Sequence, residues 1–426
     1  MNFFREKFLE KPFRVHGFLF LAFIVAGIIY DSPRGVFEGL LRIFSGSDVL
    51  VSDYISIGGF GATLVNVGLV GLLAILALVI AKHEPGGLTM GTHGLAIGFA
   101  FFGKNPLNML PIIVGGFLYA VVSKKPPSQC VLRAVLATCL APAVTQVAYA
   151  TNLPLPLSIG IGIVVGLLIG FLINPLAVHK EMAHMGYNLY NVGFAAGIIG
   201  MGIFAVYRLV GAYFYTSDVW SYGYDLHLMI FVLIVSAYFI FCGSFAKGKS
   251  ITLRFFYEPH STDNDYFNEY REKIYIHMGV MGLACSLFML VTGGSYNGPV
   301  VGAILSVIGF GAFGKALLSA APVVAGAMIA AFIAHFVTGI PANDSNFLVA
   351  AIFSTCLSPL SRKFGMMWGL IAGFLHLALA VNIGGFHGGL NLYNNGFAGG
   401  LAAMILLPII LFVQRERARR KIPRRP

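Results

Sequence analysis

Apolar residues run along this chain in long blocks, separated by short polar stretches or glycine-proline breaks. A bilayer-spanning helix takes about 20 such residues, fewer where protein or water covers its ends. On that measure the pattern predicts about fourteen segments: 15–31, 59–82, 87–103, 107–123, 129–149, 155–178, 186–213, 226–246, 272–294, 297–314, 317–339, 345–360, 363–382 and 395–414. The third, tenth and twelfth are short, the third and tenth glycine-rich, as half-helices or re-entrant segments would be. No small-residue cleavage site follows Val15 to Tyr30, so the first helix is expected to be retained.

Basic residues give the expected orientation through the positive-inside rule. Arg5, Lys7, Lys11 and Arg14 place the N-terminus in the cytoplasm. Lys82, Lys124 with Lys125, and Lys180 then fall inside after spans two, four and six. Lys247, Lys249 and Arg254 follow span eight, and Arg362 with Lys363 follow span twelve. The basic tail, Arg415 to Arg425, lies inside after span fourteen, while Asp218, Asp225 and Asp344 fall outside. Both termini are therefore expected in the cytoplasm of a bacterium, with the chain in its inner membrane.

Composition agrees. Of 426 residues, 58% are hydrophobic and 11% charged, with a mean hydropathy of +0.83. An average soluble domain is about 25% charged, so a soluble fold is excluded. The net charge of +11 gathers largely in the tail, which suits an anionic lipid surface rather than nucleic acid. The five cysteines, Cys130, Cys139, Cys242, Cys285 and Cys356, match neither a zinc spacing nor a disulfide framework.

The chain also repeats itself. Gly87 to Gly116 aligns without a gap on Gly298 to Ala327, pairing Phe102-Gly103-Lys104 with Phe313-Gly314-Lys315 and Pro111 with Pro322. Thr138-Cys139-Leu140-Ala141-Pro142 matches Thr355-Cys356-Leu357-Ser358-Pro359. His184 to Gly197 reads HMGYNLYNVGFAAG, and His387 to Gly400 reads HGGLNLYNNGFAGG. Three blocks in the same order imply a duplication. Span two pairs with span nine, seven crossings later, and an odd separation inverts the second copy. The expected architecture is an all-α polytopic membrane protein of two inverted repeats, roughly seven spans each. Residues 1–213 form the first repeat, with a matched core of 59–213. A linking segment over 214–271 holds helix 226–246 and a cytoplasmic loop. Residues 272–414 form the second core and 415–426 the basic cytoplasmic tail. In inverted-repeat transporters the site lies near the midplane, where interrupted helices meet.

Within that plan the NLYN blocks are the first candidates for a substrate path. Asn188, Asn191, Asn391 and Asn394 offer amide donors and acceptors, and Tyr190 and Tyr393 offer ring faces and hydroxyls. The competing reading is interhelical glue, because asparagine bridges and small residues join membrane helices. His184 and His387 can relay protons, bind solute or cap a helix. His93, His277, His335 and His376 lack mates and read as structural. Lys104 and Lys315 end a matched span; they either draw an anion to a pore mouth or snorkel to headgroups. Thr138 and Thr355 sit at an expected helix break before a matched proline, which either frees carbonyls for a solute or is a packing kink.

None of the 17 acidic residues falls in the middle of an apolar span, with Glu181 the nearest. That weakens proton antiport through a buried carboxylate and selectivity by an acidic ring. HExxH, P-loop and GxSxG motifs are missing, so no enzyme, metal or cofactor is expected. The favoured function is a channel or uniporter-like protein for a small, neutral polar solute. The runner-up is a secondary transporter coupled to sodium or protons, and a membrane scaffold or intramembrane enzyme stands behind both. Expected partners are the lipid bilayer and a small-molecule solute, with homo-oligomerisation left open and no nucleic acid.

The paired NLYN-x-GFA-x-G and Phe-Gly-Lys blocks resemble an uncharacterised bacterial membrane family, domain of unknown function 1576, over nearly the whole chain. That resemblance implies no activity. The stretch Gly389 to Gly400 is similar in flavour to the glycine-tyrosine-asparagine-glycine stretch in each half of bacterial urea channels, which are also inverted duplications. Their leucine-proline pore signature is missing here and the copies are longer, so none of their pore residues carries over.

Overall fold

The computed structural model describes residues 11–179, 185–212, 218–252, 255 and 265–421. Among these the chain is nearly all helix; pairing of extended backbone is confined to the isolated bridges Ser52–Val219, Asp53–Phe102 and Asp265–Phe313.

In chain order the helices are α1 Lys11–Phe44, α2 Tyr54–Gly58, α3 Phe60–Ile80, α4 Gly87–Phe99, α5 Pro106–Ser123, α6 Pro127–Ala137, α7 Ala141–Tyr149, α8 Leu155–His179 and α9 Asn191–Leu209. There follow α10 Asp225–Ser244, α11 Tyr266–Tyr270, α12 Ile274–Thr292, α13 Gly298–Phe310, α14 Leu317–Thr338, α15 Ser345–Ser354, α16 Ser358–Phe364, α17 Met366–Ile383 and α18 Asn394–Lys421. Eleven helical segments among the described residues are long and apolar enough to cross a bilayer. The three expected spans outside that set are those read as short: α4, α13, and α15 with α16.

Outward faces are apolar. On α5, Leu107, Leu110, Val114, Leu118 and Val121 recur at helical spacing and are all exposed. A stripe of that size is an aggregation surface in water and is at home in lipid.

Several expected boundaries need correction. The first helix runs well beyond 15–31, to Phe44, bending at Ser32 where Pro33 removes a backbone donor. The helix expected over 226–246 runs Asp225–Ser244. Residues 415–421, read as a tail, continue α18 as helix, since arginine and lysine are good helix formers once clear of the membrane. Arg254 and Lys180 lie outside the described residues.

The centre is built on α4 and α13. Each has 13 residues, about 20 Å at 1.5 Å per residue, short of a roughly 30 Å bilayer core. They can be short because other helices enclose them: every residue of α13 is buried, and all of α4 except Leu88. They pack antiparallel, Gly98 against Gly302 and Gly94 against Gly309. A Cβ on Gly98 would stand 2.4 Å from the Gly302 carbonyl oxygen, so only glycine permits this approach.

The helix ends are held by carboxylates from elsewhere in the chain. Asp265 accepts the Gly87 amide at the start of α4 at 3.0 Å. Asp53 accepts the Gly298 amide at the start of α13 at 2.8 Å. Negative charge is favourable at a helix N-terminus, where amides are unpaired and the dipole is positive. The residue after each aspartate also pairs alike: Tyr54 N–H donates to Phe101 O at 2.9 Å, and Tyr266 N–H to Ala312 O at 3.2 Å. Thus α4 runs from Asp265 towards Asp53, and α13 runs back.

Candidate functional site

Two cavities enter the helical body from opposite ends. The first, about 770 Å³, has Lys82 and Glu84 at its rim, just before the α4 start that Asp265 caps, and reaches Asn191, Tyr190, Phe310 and Tyr393. The second, about 900 Å³, has Asp218 and Asn346 at its rim, passes Leu50 and Val51 near Asp53, and reaches Phe102, Phe353 and Asn394.

Between their inner ends lies a cluster of aromatic rings. Tyr190 and Tyr393 have ring centroids 4.7 Å apart. Tyr190 also meets Phe310 at 4.9 Å and Phe353 at 5.8 Å, and Tyr393 meets Phe99 at 5.5 Å. The edge-on geometries are those that aromatic quadrupoles favour. Phe99 and Phe310 are the last residues of α4 and α13, so the antiparallel pair delivers one ring from each direction.

Tyr190 and Tyr393 arrive on loops that cross-pair with the helix breaks at Thr138 and Thr355. At each break a 3-10 turn, Thr138–Leu140 or Thr355–Leu357, interrupts the helix. One carbonyl at each break is taken across the halves: Leu189 N–H donates to Cys356 O at 3.1 Å, and Leu392 N–H to Cys139 O at 2.9 Å. Thr138 bonds back within its own turn, to Val135 O at 2.6 Å.

The asparagines act mostly as joints. Asn188 and Asn391 each accept the amide two residues on, Tyr190 or Tyr393, at 3.0 Å. Asn188 also donates to Gly396 O at 3.0 Å, joining α9's loop to α18. Asn394 donates to Ala380 O at 2.7 Å and Asn191 to Ala177 O at 3.4 Å. Asn191 is half-buried in the first cavity's wall, and Asn394 lines the second. His387 is buried, with Nε2 2.9 Å from Asn394 Oδ1, and braces its loop. His184 lies outside the described residues. His376, read as structural, sits 3.1 Å from Asn395 O.

The lysines are the main correction. Snorkelling would put Lys104 and Lys315 at the surface, yet both are fully buried. Each follows a glycine in the left-handed region, Gly103 at φ +72° and Gly314 at φ +77°, which turns the chain inward after the short helix. Lys315 Nζ donates to Tyr190 Oη and to Thr355 Oγ1, the latter at 2.7 Å, and lies 4.5 Å from the Tyr190 ring centroid. Lys104 Nζ lies 5.1 Å from the Phe99 ring centroid and has no hydrogen-bond partner.

Sequence reading missed the acidic groups. Asp53 is buried and accepts from Ile55 N, Ser221 N, Ser221 Oγ and Gly298 N. The signal was present: Asp53-Tyr54 and Asp265-Tyr266 are matching dipeptides, each one long helix upstream of an aligned block. Asp48, in the loop between α1 and α2, accepts from Tyr54 Oη at 2.9 Å, Thr145 Oγ1 at 2.9 Å and Asn108 Nδ2 at 3.1 Å. Burial pushes its carboxyl up to about 7, against the pull of those three donors. No group of three or more metal-ligating side chains occurs among the described residues.

Helices with outward apolar stripes, wrapped around a short antiparallel pair, define a polytopic all-α membrane protein. The chain belongs to the family described as Protein of unknown function (DUF1576), matched over residues 32–209 and 245–412. No curated protein and no solved structure matches it.

Proposed function

We propose that this protein carries a small polar solute across the bacterial inner membrane, and that it is built from two inverted copies of one seven-span unit. The observation that carries the transport reading is the pair of cavities, which approach one aromatic cluster from opposite ends. A scaffold gains nothing from such hollows, whereas a carrier needs an approach to its site from each side.

Support for the inverted copies comes from exchanged contacts. Asp53 caps α13 and Asp265 caps α4; Leu189 pairs with Cys356 and Leu392 with Cys139. Each contact joins an element of one half to an element of the other, and each has its mate. The antiparallel course of α4 and α13 agrees with inversion. Under the positive-inside rule the first cavity, with Lys82 at its rim, faces the cytoplasm. The Tyr190–Tyr393 contact closes the path between cavities, so passage takes a movement at these rings, as in a uniporter.

Solute flux into proteoliposomes, measured with and without sodium and proton gradients, tests the reading. Uptake down the solute's own gradient is expected. Absence of flux for every solute tried, with a protein partner co-purifying, would turn the assignment to a scaffold.

A further inference from the structure

We infer that Lys104 and Lys315 form a pair of anion subsites beside the aromatic cluster, and that the solute is a small organic carboxylate. This deepens the transport reading and rests on it for passage, though not for binding.

A buried ammonium is costly unless an anion or a full set of acceptors meets it. Both lysines are fully buried. The ion pairs Arg34–Glu38, Lys249–Glu269 and Arg419–Glu416 are exposed and involve neither. Lys315 has two hydroxyl partners and a ring, Lys104 a ring alone. An ammonium has three protons to donate, so donors remain at both. Tyr393 Oη, at the position matching Tyr190 Oη, is likewise buried without a partner. An unpartnered ammonium in one half and an unpartnered phenol facing the same cluster are complementary to an acceptor-rich ligand.

Ligand charge follows from the ammonium groups, and ligand class from the walls. Phe99, Phe310 and Phe353 offer no donors and suit hydrocarbon. An ammonium and a phenol hydroxyl at one cluster match the two oxygens of a carboxylate. Phosphate, with more oxygens and no apolar part, would leave its hydration unreplaced. The scarcity of acidic groups in the spans, first read as favouring a neutral solute, equally spares an anion from repulsion.

The test uses the full chain in nanodiscs for calorimetric binding and in proteoliposomes for flux, with acetate, benzoate, phosphate and urea as probes. Benzoate or acetate should bind, and the Lys104→Gln/Lys315→Gln double variant should bind at least about ten-fold more weakly, the scale of one charge-assisted bond. Lys104→Arg/Lys315→Arg keeps the charge and should retain carboxylate binding better than the glutamine pair. Carboxylate binding without flux leaves the subsites standing and removes the transport reading. Flux of urea with no carboxylate binding does the reverse. Wild-type protein that binds neither carboxylate, or binds phosphate more tightly than both, overturns the inference, and this needs no variant to fold.

Discussion

The carboxylate of Asp53 accepts the amide of Gly298, 245 residues further along the chain, at 2.8 Å. It thereby fixes the start of α13 from a loop in the other half of the molecule. Asp265 does the same for Gly87 at the start of α4, over 178 residues. Because the two short helices pack on each other through glycine, both caps bear on one helix pair.

Removing either cap should therefore loosen the centre. Asp53→Ala leaves up to four donors unpaired in a buried place, and is expected to lower stability by roughly 3 kcal/mol. Asp53→Asn, which keeps an acceptor oxygen, should recover part of it. Thermal unfolding of the detergent-solubilised protein measures both, and an alanine variant that melts with the wild type would refute the capping role.

Asn191 and Asn394 are mates in the duplicated block but differ in setting. Asn394 is buried between Ala380 O and His387 Nε2, so Asn394→Leu should cost about 2 kcal/mol in stability. Asn191 is half-buried and lines the first cavity, so Asn191→Leu should cost less stability than Asn394→Leu and act on flux. Melting temperatures for the two variants, alongside uptake for Asn191→Leu, separate a joint from a cavity wall. Equal melting of both would dissolve the distinction.

Asp48 makes stability depend on pH. Its carboxyl is raised from 3.8 to about 7, so the folded state holds a proton that the unfolded chain releases. The contribution is fully present below about pH 4 and is lost as pH rises to and through about 7. Melting temperature should fall across that window, and Asp48→Asn should flatten the profile. A profile identical in the variant would assign the dependence elsewhere.

Reporter fusions at the two ends should both report cytoplasm, because the expected number of crossings is even. A split result would make the number odd and remove the inverted arrangement.

Most spans were legible because a helix in lipid must be apolar along its own length, and that condition is local. Matched blocks such as Phe102-Gly103-Lys104 and Phe313-Gly314-Lys315 were legible for a similar reason: they keep their order along the chain. Even the short third, tenth and twelfth segments stood out by length. What the sequence left undecided was which surfaces meet. Asp53 and Asp265 sit in polar linkers, and nothing local says that each caps a helix in the opposite half. Lys104 follows a glycine at a helix end, where a lysine ordinarily reaches for the headgroups; it is buried because helices distant in sequence close over it. The chemistry of the asparagines suits a solute path, and only the folded packing shows that Asn188 and Asn394 also reach distant backbone carbonyls. Hydropathy and repetition are properties of neighbours in the chain, whereas burial, pairing and the meeting of Tyr190 with Tyr393 depend on contacts between distant segments, which only the folded packing creates.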